Sequence, residues 1–175
     1  METNLKLKAF EYTLEQLGEW YKEVTKTSDF PVFSKLKAFK LLFFVSSVNA
    51  EDNELGLLDI FDNHHALPYG PVESDIYDSL SAMSNFEVKG YDICKKAVGI
   101  HQDLTPDIKN SISAAVNLLR KKNNKLVELN PFDLVEISHK WYSWQFTFDL
   151  AKKLNQRSKK IPNQLIARDF KIYSL

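Results

Sequence analysis

The sequence predicts a mainly α-helical fold, a single compact domain of five to six helices (residues 1–175) with room for one small β-hairpin. Three observations lead there. Apolar residues recur at helical spacing in several segments. Capping residues and prolines mark where those segments open. Only five glycines and six prolines are present, too few for a sandwich with many turns.

Residues 5–24 read as an amphipathic helix whose stripe is Phe10, Leu14, Leu17, Tyr21 and Val24. Ser34 caps a second helix running to about Val48. Its residues, from Leu36 through Val45, are apolar on nearly every side, which places it in the middle of a bundle. Leu57 to Phe61 is either a strand or a helical turn. A third helix follows Tyr69-Gly70-Pro71-Val72 and reaches about Ser84. Phe86 to Ile100 is a loop with a short hairpin. Thr105-Pro106 opens a fourth helix and Asn130-Pro131 a fifth, each with a capping residue and then proline at the first position. Residues 144–150 alternate like a strand, but Ala151-Lys152-Lys153-Leu154 favours helix. Pro162 begins a last short helix over residues 162–172.

Composition narrows the function. Lys+Arg and Asp+Glu both number 23, so the formal net charge is zero. That argues against nucleic acid or an anionic membrane as the main partner. The single cysteine, Cys94, excludes an internal disulfide and points to a reducing, cytoplasmic setting. The polar N-terminus lacks a signal-peptide apolar region, and the longest apolar run, Leu41 to Val45, is too short for a bilayer.

The most informative stretch is Tyr69-Gly70-Pro71-Val72, followed by Tyr77. Proline fixes its own φ and pushes Gly70 out of the right-handed helical region. Pro71 then opens a helix at its first position, with Glu73 and Asp75 on the favourable end of its dipole. The expectation is a rigid loop-to-helix corner that presents Tyr69 and Tyr77.

The order of motifs resembles a known family. Lys40-Leu41-Leu42-Phe43-Phe44 lies in the apolar helix, the Tyr-Gly-Pro-Val corner and Tyr77 follow, and Ser138-His139-Lys140 precedes Trp144. This resembles the SocA-like Panacea domain of bacterial and phage antitoxins, over about residues 34–154. Phe43-Phe44 stands where the family pattern more often has Tyr-Phe. The resemblance implies a helical domain that binds and neutralises a toxin protein, with Lys40, Tyr69, Gly70, Pro71, Val72, Tyr77, His139 and Trp144 as its motif or partner-binding residues. It carries over no catalytic residue, cofactor or metal.

Each candidate also has a plainer reading. The Gly-Pro pair marks turns widely. Lys40 packs its stem and sends its ammonium to water; the sharper alternative is a buried or groove-lining charge that meets an acidic group of a partner. His64 and His65 form a solvated loop and are badly spaced for a metal. Ser138 and His139 are helix neighbours and do not face each other, so a nucleophile–base contact is not expected. The basic runs Arg120 to Lys122 and Arg157 to Lys160 are solvated ends. Their alternative use is a nucleic-acid patch in a regulatory protein without catalysis. Aromatic residues make up 13% of the chain, enough to leave an exposed aromatic groove as a partner surface. The leading expectation is therefore a non-catalytic, antitoxin-like module that holds a cognate toxin by direct contact.

Overall fold

A computed structural model describes residues 2–99 and 103–175. Among the described residues the chain forms seven α-helices and six strands. In order they are α1 (Thr3–Thr25), β1 (Phe33–Ser34), α2 (Lys35–Ser47), β2 (His64–Leu67), β3 (Gly70–Glu73), α3 (Ser74–Ser79), β4 (Phe86–Lys89) and β5 (Asp92–Lys95). The second half adds α4 (Pro106–Lys122), α5 (Pro131–His139), α6 (Tyr142–Lys153), β6 (Lys159–Lys160) and α7 (Asn163–Ala167).

The mainly α expectation with one small hairpin is overturned. The strands build two three-stranded antiparallel sheets, ordered β1–β5–β4 and β3–β2–β6. The expected Phe86–Ile100 hairpin is β4–β5, which gains β1 as a third strand; Ile100 lies outside the described residues. The second sheet went unread because its strands span only four, four and two residues. A period of two is not legible over such lengths. Leu57–Phe61 resolves as a 3-10 turn, Gly56–Asp59, and residues 144–150 lie within a helix.

Helix α2 forms the middle of the core. Ser34 Oγ accepts from the Lys37 amide at 3.2 Å and starts the helix. Every residue from Ala38 to Val48 is buried. Phe43 meets the buried Trp141 ring edge-on at 4.8 Å, and Phe44 meets Tyr173 at 5.9 Å. Helices α1, α4 and α5 pack around α2, together with β3.

The C-terminal segment is stitched to the α5–α6 junction. Trp141 Nε1 donates to the Ile172 carbonyl at 3.0 Å. The Asp169 carboxylate accepts from the Tyr142 and Ser143 amides at 3.2 and 2.7 Å. Asp169 thus caps α6 from far along the chain and places negative charge at its N-terminus.

Candidate protein-binding site

The Tyr-Gly-Pro-Val stretch is not a loop leading into a helix. Its last three residues, Gly70 to Val72, lie in the returning strand of a hairpin in which Leu67 pairs with Gly70 and Ala66 with Pro71. Pro68 and Tyr69 form the turn, and α3 begins only at Ser74, capped by the Glu73 carboxylate. Proline is tolerated because β3 is an edge strand. Ser74 donates to Asn63 at 3.0 Å. Antiparallel ladder bonds recur at every second residue, so Pro71 falls where the backbone faces outward and needs no N–H.

The outward carbonyl of Pro71 meets the ammonium of Lys40 at 2.7 Å. Lys40 is fully buried, at 0% exposure. The expectation of a solvent-reaching ammonium is therefore wrong: the stem runs inward from α2 and its end holds the hairpin. Burial pushes its pKa down to about 7.

Gly70 lies against the same place. Its φ is +91°, a region that L side chains avoid. A Cβ there would collide with Ser138 Oγ and stand 2.9 Å from Lys40 Cε. Ser138 donates its own hydroxyl to Val135 at 2.8 Å.

His139 and Trp144 grip the turn from α5 and α6. Trp144 Nε1 donates to the Leu67 carbonyl at 2.9 Å. The Pro68 backbone lies against the His139 ring and favours its protonated form. The two rings stack 3.8 Å apart at 10°, and Phe148 continues the stack beyond Trp144. Burial first, and then the Lys40 charge, lowers the His139 pKa. The motif residues thus converge from three helices on one hairpin turn. Ser138 and His139 serve different partners within it.

The base of the hairpin has a charged knot. Lys6 of α1 is buried among Asp62, Glu73 and Asp75, with Glu73 at 2.8 Å. Burial opposes its charge, but the three carboxylates overcome this and raise its pKa. These carboxylates are close enough together to suit a cation, and the Lys6 ammonium already sits with them. Nothing local in the sequence links Lys6 to residues so far downstream.

The two histidines do not form a solvated loop either. His64 is fully buried on β2, 3.1 Å from Ser46 Oγ. Burial, then the Lys40 and Lys6 charges, push its pKa down to about 3. His65 is half-buried and faces Asn63.

Above this clamped frame lies an apolar groove of about 580 Å³ between the hairpin and the start of α2. Leu36 and Phe39 of α2, Leu67 and Val72 of the hairpin, and the exposed Tyr69 and Tyr77 line it. Tyr69 is 62% exposed, Tyr77 50%, and Phe132, at the groove margin, 64%. Val72 and Tyr77 thus face the groove, whereas Lys40, Gly70, Pro71, His139 and Trp144 support it from beneath. Sequence reasoning missed Leu36, Phe39 and Phe132 as groove residues, because only the fold brings them together.

The site is thus a hairpin turn gripped from below and bordered by exposed aromatics, on a mixed α/β frame. Residues 39–145 match the family described as antitoxin SocA-like, Panacea domain, and the chain belongs to that family. No curated protein and no solved structure shows significant similarity to it. Among the described residues, no helix is long and apolar enough to cross a membrane.

Proposed function

We propose that the protein is an antitoxin that neutralises a cognate toxin by direct contact through the groove beside Tyr69 and Tyr77. The observation that carries this reading is the separation of roles within the motif. Lys40, Gly70, His139 and Trp144 are spent on holding one turn, while the aromatic rings beside that turn remain uncovered. A soluble domain that builds so rigid a support for exposed tyrosines is suited to protein recognition, because tyrosine offers apolar area with a wet hydroxyl. The family membership supports a toxin protein as the partner class; in this reading the contact takes place in the cytoplasm and involves no catalysis, cofactor or metal.

The test is co-expression with the product of the adjacent reading frame. That product alone should arrest growth, and this chain should restore it. The double change Tyr69→Ser with Tyr77→Ser should abolish rescue while leaving the fold intact, as read by circular dichroism and thermal unfolding. Rescue by the double variant at the level of the wild type would show that contact lies elsewhere.

A further inference from the structure

We propose that the groove receives one amphipathic α-helix of the partner, with aliphatic anchors along its face and an acidic side chain against Lys35. This deepens, and rests on, the groove-binding reading. An extended segment entering an apolar groove must find partners for its own backbone N–H and C=O groups, or else leave them desolvated. The hairpin turn offers few acceptors. The Leu67 carbonyl is taken by Trp144 and the Pro71 carbonyl by Lys40. Pro68 and Pro71 also have no N–H to donate. The groove moreover lies over a hairpin face, where His65, Leu67 and Val72 are half-buried while their alternating neighbours are buried. A strand cannot extend a sheet from its face. A helix satisfies its backbone internally and presents only side chains, so it fits a surface of this kind.

The charge follows from the lining. Lys35 is the one charged side chain among the described residues that line the groove, and its ammonium lies 5.7 Å from the centre of the Tyr91 ring. Asp78 borders a neighbouring depression that shares Leu67, Val72 and Tyr77 with the groove. The partner's carboxylate therefore belongs at the Lys35 end.

A displayed library of random peptides about 16 residues long, roughly four helical turns, selected on the purified full chain, tests this. Enriched sequences should place apolar residues at i, i+3, i+4 and i+7 with Asp or Glu on the flank. Tyr69→Ala should weaken the best binders by about tenfold or more, as expected for an aromatic anchor. Selection on Lys35→Glu should replace the acidic preference by Lys or Arg, with Lys35→Gln losing preference for either sign. Enrichment of period-two sequences, an acidic preference unmoved by Lys35→Glu, or no enrichment at all would overturn the proposal. Loss of toxin rescue in the tyrosine double variant, alongside any of those outcomes, leaves the groove reading standing and removes only the helix. Rescue that survives the double variant removes both.

Discussion

Lys40 and Pro71 stand 31 positions apart in sequence, and the buried ammonium of the first donates to the outward carbonyl of the second at 2.7 Å. A lysine in the most apolar helix is thereby explained. It closes the edge of a strand that proline has already half closed.

Replacing Lys40 by Met keeps most of the volume but leaves the Pro71 carbonyl buried without a donor. The expected loss is about 1–3 kcal/mol, the usual penalty for an orphaned buried polar group. Its pH dependence has a definite sign. The folded pKa, about 7, lies below the ordinary lysine value of 10.5. Between those values the unfolded chain binds more protons, so the wild type gains stability as pH rises. Its advantage over Lys40→Met should widen from pH 7 toward 10 in urea unfolding. A constant gap would show that the ammonium is not confined as described.

Gly70→Ala should destabilise more than an ordinary surface change. The positive φ costs about 1–2 kcal/mol for an L-residue, and forcing a methyl between Ser138 and Lys40 costs about 1–3 kcal/mol more. The double change Gly70→Ala with Ser138→Gly should recover part of that loss. Thermal unfolding of the two variants reads this directly, and equal losses would remove Ser138 from the account.

Trp144→Phe retains a ring for stacking on His139 but removes the donor to Leu67. We expect about 1–2 kcal/mol of lost stability, since the Leu67 carbonyl loses its side-chain donor in a part-buried setting. Amide exchange should quicken at Tyr69 and Gly70 before it does in α2. Unchanged exchange there would mean that the turn is held without this bond.

Lys6→Met leaves Asp62, Glu73 and Asp75 facing one another without their cation. Breaking a buried ion pair from one side costs about 3–5 kcal/mol. The pKa values of Asp62 and Asp75 are lowered because the Lys6 contacts outweigh their own burial. Their contribution is therefore present above the ordinary carboxylate value of 3.8 and fades as pH falls through the depressed ones. Acid unfolding of the wild type should steepen below pH 3.8, and Lys6→Met should show less of that steepening.

Asp169→Ala removes the cap of α6. A loss of about 0.5–2 kcal/mol is expected, together with faster exchange at Tyr142 and Ser143. Asp169→Asn should keep only part of the stability, because its single amide oxygen replaces one of the two acceptors and its NH2 cannot accept from the other amide.

Much of the helical framework was written locally. Ser34, Thr105 and Asn130 cap the helices their positions foretold, and the run from Ala38 to Val45 is buried as its composition requires. The sheets were not legible. Strands of four residues carry no usable period, and Lys159-Lys160 reads as a solvated turn until β2 pairs with it. Gly70-Pro71 pointed to a special backbone, and φ at Gly70 is indeed positive. Its partner, however, is a neighbouring strand rather than a helix, and only the long-range contact with α2 decides between them. Lys40 misled for a related reason. Nothing within a few residues of it reveals the carbonyl it serves.

The Lys6 knot bears on how far this domain can be shortened. Helix α1 ends at Thr25, ahead of the matched stretch that begins at residue 39. A fragment trimmed to that stretch would retain every signature residue and discard the ammonium that meets Glu73 in the interior. Its acidic side chains would push apart the foot of the very hairpin the signature was assembled to hold. The portability of this module is thus governed by a helix that its own hallmark leaves out.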